Sequence, residues 1–296
     1  MKKVKGIILA GGHGSRLYPL TYAVSKQLLP VYDKPMIYYP LSVLMESGIK
    51  DILIISTESD LPKFKRLLKD GSKLGINIKY ETQKKPRGIA ESFVIAESFL
   101  GDSDMCLILG DNIFYSQNIS YYLKKGINNL KNQYSSIFSA EVDNPQDFGV
   151  IELDKYNKVV RISEKPKIAK TNLAVVGLYF YTNDVIKISK KLKPSKRNEL
   201  EITDINNIFL SQDKLKIIRF QKDTSWIDTG TYDSLLKASS FFCHLENKTG
   251  LKYACIEEIA LRLKYISKEN FLEIAESMNK SNYGKYLFKI LNFESK

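Results

Sequence analysis

VKGIILAGGHGSRLYPLT, residues 4–21, sets a short apolar run directly before three glycines in four positions, followed at once by Ser15 and Arg16. The apolar part, Gly6 to Ala10, is too short for the core of a signal peptide and reads as a first buried strand. The glycines after it make a turn whose backbone N–H groups can approach an anion, with the Arg16 guanidinium at its exit. The stretch matches neither familiar phosphate pattern. A dinucleotide fingerprint requires a third glycine where Leu17 stands, and a P-loop requires a Gly-Lys-Ser/Thr ending that is absent. Two readings stay open on these residues alone: a phosphate loop of another kind, or a tight turn that uses glycine only for its backbone freedom. His13, between two of the glycines, reads as a backbone position rather than an acid–base group.

Outward from this loop, β-branched runs alternate with helical patterns. DILIIS (51–56), INIKYE (76–81), MCLILGD (105–111) and SSIFSAEV (135–142) read as strands. Stretches 36–48, 59–71 and 88–101 read as helices, with Gly48 and Gly71 as C-terminal stops. Such alternation predicts an α/β fold, a mostly parallel sheet with helices on both faces. Beyond Ala140 the texture changes. GVIELD, KVVRISEK, AVVGLYFYT and KLKIIRF are strand-like, a helix starts at EITDIN, and SWIDTGTYDSLLKASSFF is a turn feeding a helix. From about residue 241 the pattern is helical in three short pieces, expected to pack on the main unit.

The 296 residues suffice for a full core plus a smaller appended unit. No apolar run approaches the roughly 20 residues that span a bilayer, so a transmembrane protein is not expected. Cys106, Cys243 and Cys255 lack metal-site spacing and are odd in number, which fits a reducing cytoplasm rather than a disulfide framework. The formal charge of +12 is graded toward the N-terminal half without a dense basic run, so a solvated lysine-rich surface explains it better than a nucleic-acid partner. With two histidines in the whole chain, any catalysis has to rest on carboxylates, lysine and arginine, with or without a metal ion.

Four further positions carry that chemistry. Lys26 stands before a proline-containing turn, where it reaches a second phosphate of a ligand held by Arg16, or is one exposed lysine among many. Asp111 follows an apolar strand, at the end where open α/β sheets bind ligands, unless Asp-Asn merely makes a turn. Asp228 in SWIDTGT is a second carboxylate in a similar setting. Two carboxylates opposite a basic glycine loop suit Mg²⁺ bound with substrate phosphates. The pair Glu164–Lys165 before Pro166 offers an acceptor for sugar hydroxyls and a cation for a phosphate, or is a surface ion couple.

In this order, these pieces resemble the sugar nucleotidyltransferases, the nucleotide-sugar pyrophosphorylases. LAGGHGSRLYPLT resembles that family's signature loop, and SKQLLPVYDKPMIYYPLS is similar to its thymidylyl branch. The blocks Gln83–Ala90, LGDN (109–112), DFGV (147–150), EKP (164–166), GLYFY (177–181), ELEITD (199–204), WIDTGT (226–231) and the tail GLKYACIEEIALR (250–262) extend the likeness over essentially the whole chain. Departures are Ser15 for threonine, Phe148 for tyrosine, Glu91 for glutamine, Asn198 for glycine and Ile256 for proline; none falls on a proposed metal ligand or phosphate-binding cation.

The resemblance implies a Rossmann-like nucleotidyltransferase core over residues 1–240, nucleotide-binding to about 135 and sugar-phosphate-binding from about 136. A C-terminal helical region, 241–296, would serve assembly or regulation in a homotetramer. It implies Mg²⁺ on Asp111 and Asp228, the triphosphate on Gly11, Gly12, Gly14, Ser15 and Arg16, and the pyrophosphate on Lys26. Gln83 and Gly88 would read thymine, while Gly149, Glu164 and Val176 would surround glucose with Lys165 on its phosphate. Arg262 would belong to a regulatory site. The implied reaction joins dTTP to glucose 1-phosphate, releasing pyrophosphate, as a first step toward dTDP-rhamnose or a related deoxysugar. Such a reaction needs no general base, because the phosphate monoester oxygen is already an ionised nucleophile. That suits a chain so poor in histidine. A uridylyl- or other nucleotidyltransferase of the same fold is the nearest alternative, and an NAD-linked oxidoreductase is the different-chemistry one.

Overall fold

A computed structural model describes residues 2–12 and 14–293; His13 therefore lies outside the described residues, as do the side chains of Asn292 and Phe293. The strands begin with β1 (Val4–Ala10), a hairpin of β2 (Pro30–Val31) and β3 (Lys34–Pro35), β4 (Asp51–Ser56), β5 (Asn77–Thr82), β6 (Asp104–Leu109) and β7 (Asn112–Tyr115). They continue with β8 (Ser135–Glu141), β9 (Gly149–Leu153), β10 (Val159–Glu164), β11 (Leu173–Tyr181), β12 (Leu215–Arg219) and β13 (Ser225–Asp228). The helices are α1 (Tyr38–Glu46), α2 (Leu61–Leu68), α3 (Glu91–Ile95), α4 (Glu97–Leu100), α5 (Ile119–Lys131) and α6 (Asp184–Ser189). Then follow α7 (Ile202–Ser211), α8 (Tyr232–Thr249), α9 (Ile256–Arg262), α10 (Lys268–Ser277) and α11 (Asn282–Phe293).

The central sheet runs β10-β9-β11-β6-β1-β4-β5, with β8 beside β11 and β12 beside β8. β6, β1, β4 and β5 are mutually parallel, as the strand–helix alternation requires, and β11 then enters antiparallel to β6. Alternation along each strand divides the apolar side chains between two faces. Ile8, Ile54, Ile108, Leu178 and Phe180 join one core with α1, α2, α5 and the tail helices. Ile7, Leu53, Ile55, Leu107 and Tyr181 join the other with α3, α6 and α7. The tail packs on the main unit as expected, Ile256, Phe271 and Leu287 sharing the first core with the sheet. No helix of the described residues is long and apolar enough to cross a membrane.

Two local readings change. The stretch 88–101 is not one helix, because Gly88 has φ +100° and cannot be helical; the helical turns start at Glu91 and bend at Ala96. The amphipathic α5, in the stretch between MCLILGD and SSIFSAEV to which the sequence reading assigns no element, supplies Tyr122 and Leu123 to the first core. α8 starts where Thr231 and Ser234 form a reciprocal capping box and stops at Gly250 with φ +70°, so both ends follow from sequence chemistry.

One small pairing brings distant carboxylates together. β13 lies antiparallel to β7 with Asp228 opposite Asn112. Thr229 extends the ladder, its N–H and its hydroxyl both donating to the Asp111 carbonyl, at 3.2 and 2.8 Å. Residues more than a hundred positions apart are thus fixed side by side at the mouth of the parallel strands.

Candidate active site

The glycine loop leaves β1, Gln83 follows β5, and Asp111 lies just past β6, so all three stand at the carboxyl ends of parallel strands. That is the edge at which open α/β sheets bind ligands. Between this edge and the β9–β11 half lies a cleft of about 710 Å³ lined by Arg16, Asp111, Gly149, Glu164, Lys165 and Asp228, among others. Six positions nominated from sequence therefore share one cavity.

Lys26, with 7% of its side chain exposed, lies against the two cleft carboxylates, 2.7 Å from Asp111 Oδ2 and 3.9 Å from Asp228 Oδ1. Burial works against the charge of Asp111, but the attraction and hydrogen bond of Lys26, helped by Asn112, hold its carboxyl below the usual range. Asp228 is raised, first by burial and then by the facing charge of Asp111, with Lys26, Arg16 and Lys165 only partly compensating. Its Oδ1 is buried without a hydrogen-bond partner among the described residues. Two carboxylates thus converge on one lysine, and one keeps an oxygen unsatisfied. A divalent cation would satisfy that oxygen and relieve the repulsion. No group of three or more His, Cys, Asp or Glu forms a cage among the described residues, which leaves a set of two hard oxygen donors. Mg²⁺ characteristically takes one or two carboxylates and completes its octahedron with water and substrate phosphates. The donors fit it.

Asn112 organises this centre, although the sequence reading passes over it. Its Oδ1 accepts from the Gly177 N–H at 3.0 Å and from Trp226 Nε1 at 2.7 Å, so its Nδ2 must face Asp111 Oδ1, at 3.0 Å. Two donors on one side leave the amide a single orientation. Arg16 is held across Gly230: a Cβ there would lie 2.9 Å from Arg16 Nη2 and 3.2 Å from Asp228 Oδ1. Gly230→Ala is therefore expected to push the guanidinium from the cleft. It should lower kcat/KM about 10- to 100-fold with little change in the unfolding temperature, as steady-state kinetics beside a thermal melt would show.

On the far side of the cleft, Glu164 Oε2 accepts from Thr203 Oγ1 and Oε1 lies 3.2 Å from Arg197 Nη1. Arg197 also bonds Glu199, which anchors it at the rim. Nothing local singles out Arg197; the neighbouring Asn198, where the resemblance has glycine, takes φ +60°, a value asparagine tolerates. Lys165 has φ +41°, uncommon for a residue with a side chain, and its N–H donates to the Phe148 carbonyl at 3.0 Å. Phe148 itself packs edge-on against Trp226 at 5.0 Å. Val176 is fully buried in the first core, while its neighbours Val175 and Gly177 on β11 line the cleft.

A second cleft, of about 460 Å³, lies across the glycine loop and is lined by Gly12, Thr21, Lys63 and Gln83. Gly14 opens the short turn Ser15–Leu17 at φ 59° and its carbonyl accepts from Thr21 Oγ1 at 2.8 Å, while Ser15 is exposed. Gly11 lies against Gln83, where a Cβ would come to 2.9 Å from Oε1. A Cβ on Gly88 would lie 2.4 Å from the Leu200 carbonyl oxygen, so the Gln83–Ala90 loop and the ELEITD segment are in backbone contact. Arg262 is elsewhere, paired with Glu46 and lining a separate 120 Å³ cavity beside Cys255.

With this geometry established, comparison with known proteins gives a consistent picture. The family model described as nucleotidyl transferase matches residues 5–244. A glucose-1-phosphate thymidylyltransferase of Neisseria meningitidis serogroup A is 49% identical over 97% of this chain and 99% of that protein. One from Mycobacterium tuberculosis is 48% identical over the same shares. Among solved structures, a Bacillus anthracis protein provisionally described as a glucose-1-phosphate thymidylyltransferase, crystallised with sucrose, superposes with a TM-score of 0.73. It is 40% identical, covering 80% of this chain and 94% of that one. A UDP-glucose pyrophosphorylase bound to UDP-glucose also gives a TM-score of 0.73 at 25% identity, covering 82% of this chain and 99% of that one. With the model spanning the strands, the loop and both carboxylates, and with near-full-length relatives of one activity, this chain belongs to the nucleotidyl transferase family, as an enzyme of its glucose-1-phosphate thymidylyltransferase branch.

Proposed function

We propose that the enzyme transfers the thymidylyl group of dTTP to α-D-glucose 1-phosphate, giving dTDP-glucose and pyrophosphate. The observation that supports this most is the meeting of Asp111 and Asp228 on Lys26 at the strand ends, the two carboxylates lining one cleft with Arg16, Glu164 and Lys165. The reaction needs two polyanions brought together with attacking and leaving oxygens in line, and positioning with charge neutralisation is how such sites lower the barrier. Arg16 and the N–H groups of Gly11, Gly12, Gly14 and Ser15 hold the triphosphate, and Lys26 faces the departing pyrophosphate. Gln83 and Gly88 read the base. Glu164 accepts from sugar hydroxyls, the main chain of Gly149 and Val176 lies along the ring, and Lys165 steers the incoming phosphate. Asp111 and Asp228 would hold Mg²⁺, which when bound supplies the charge that neutralises the α-phosphate. The resemblance further supports a homotetramer and a product destined for dTDP-rhamnose or a related deoxysugar. On the same basis the tail after residue 240, with Arg262, is proposed as an assembly or regulatory part.

The test is pyrophosphate release by the purified protein with glucose 1-phosphate across dTTP, UTP, ATP and CTP. The highest kcat/KM is expected with dTTP; a higher one with UTP would move the enzyme toward the UDP-glucose pyrophosphorylases it resembles in fold. Lys165→Ala should raise the KM for glucose 1-phosphate by about 10- to 100-fold, the loss of one charge-assisted hydrogen bond. The KM for dTTP should stay near its starting value, and an effect confined to dTTP would reject the assignment.

A further inference from the structure

We infer that Glu91 is a positioning residue that fixes the amide of Gln83 with its oxygen toward the nucleotide, making the base site one for pyrimidines that carry a proton on N3. The inference rests on the proposed placement of the base at Gln83. Gln83 is 7% exposed, and its Nε2 donates to Glu91 Oε2 at 2.8 Å and to the Gly88 carbonyl at 3.3 Å. An ionised carboxylate and a carbonyl are acceptors only, so both must face an NH₂ group. Turning the amide over would set its oxygen against two acceptors in a half-buried site, and the cost of burying unmatched polar groups opposes it.

The consequence falls on the other end of the amide. Gln83 Oε1 lies over Gly11, close enough that a Cβ there would come to 2.9 Å, and it accepts no hydrogen bond among the described residues. It is an acceptor aimed at the nucleotide-binding loop and waiting for a donor. Thymine and uracil present N3–H. Cytosine presents a lone pair at N3, which the same oxygen repels. Glu91 is itself held, its other oxygen 3.9 Å from Arg87 Nε, and Arg87 and Glu91 flank the Gly88 turn, four residues apart in the chain. The Gly88 carbonyl, at the longer distance, is the weaker of the two partners. Glu91 therefore sets the orientation, without touching the substrate.

The experiment measures kcat/KM for pyrophosphate release with dTTP and with dCTP, at saturating glucose 1-phosphate and Mg²⁺, for the unmodified enzyme, Glu91→Ala, Glu91→Gln and Gln83→Ala. In Glu91→Ala the dTTP/dCTP ratio should fall about tenfold or more, mostly through a higher KM for dTTP, while the KM for glucose 1-phosphate is unchanged. Glu91→Gln should fall between, since its amide can still present an oxygen to Nε2; it also keeps the test valid if Glu91→Ala fails to fold. A ratio unchanged in both Glu91 variants but collapsed in Gln83→Ala would overturn the role of Glu91 alone. A ratio unchanged in Gln83→Ala as well would overturn the placement of the base, and the inference with it.

Discussion

Asp111→Asn should lower kcat by about a thousandfold, several kcal/mol of transition-state stabilisation, while the protein still folds. The two halves of that expectation have separate grounds. Asn112 and Lys26 both donate toward Asp111, and an asparagine oxygen can still accept from one of them. The cost in stability is therefore about that of weakening one charged hydrogen bond, ~1–2 kcal/mol. The charge has no substitute. Asp111 is the carboxylate held ionised by Lys26, whereas Asp228 is pushed toward its neutral form by burial and by Asp111. Removing the first would leave a proposed Mg²⁺ site with a single anionic ligand, one that burial still pushes toward its neutral form. Near-normal turnover of Asp111→Asn at saturating Mg²⁺ would reject the metal assignment.

Lys26→Met should be damaged in both stability and rate. The side chain is 7% exposed and bridges two carboxylates whose own side chains are about a quarter exposed. Taking away one partner of a buried pair leaves an uncompensated charge and typically costs about 3–5 kcal/mol. The partial exposure of the carboxylates places the expected loss at the lower end of that range. Turnover should fall about 100- to 1,000-fold, the usual consequence of removing one preorganised stabilising group. Added Mg²⁺ should recover part of the lost stability, because a cation bound only by the folded state stabilises it in proportion to its binding. Thermal melts with and without Mg²⁺, beside steady-state rates, check all three. If the ion does nothing for the variant's stability, the two carboxylates are not its ligands.

Legibility in the sequence followed the range of the interactions. The parallel strands could be read because their β-branched runs are local; so could the glycine-rich turn after β1, whose three glycines fall within four positions. Asp111 was visible for the same reason, sitting where an apolar run ends. The partnership of Asp111 with Asp228 was suggested by chemistry alone, because the β7–β13 ladder that enforces it pairs short segments far apart in the chain. Asn112 and Gly230 escaped because their meaning lies in what approaches them: the Gly177 amide and Trp226 indole in one case, the Arg16 guanidinium in the other. The signal was nevertheless present, an asparagine directly after the aspartate and a glycine two residues after the second one. At Val176 a position named from resemblance has its side chain in the core, and the strand's alternation is what turns Val175 and Gly177 to the cleft instead.

The central claim is that the sugar phosphate itself attacks the α-phosphorus, with charges arranged around it and no enzyme nucleophile. Stereochemistry at phosphorus tests that most directly. The enzyme would be supplied with one diastereomer of dTTP carrying sulfur on the α-phosphorus, together with glucose 1-phosphate. The configuration of the dTDP-glucose analogue would then be read by phosphorus NMR. A single in-line displacement gives inversion, which is the expected result. Retention would require two displacements through a nucleotidyl-enzyme intermediate and would contradict the account.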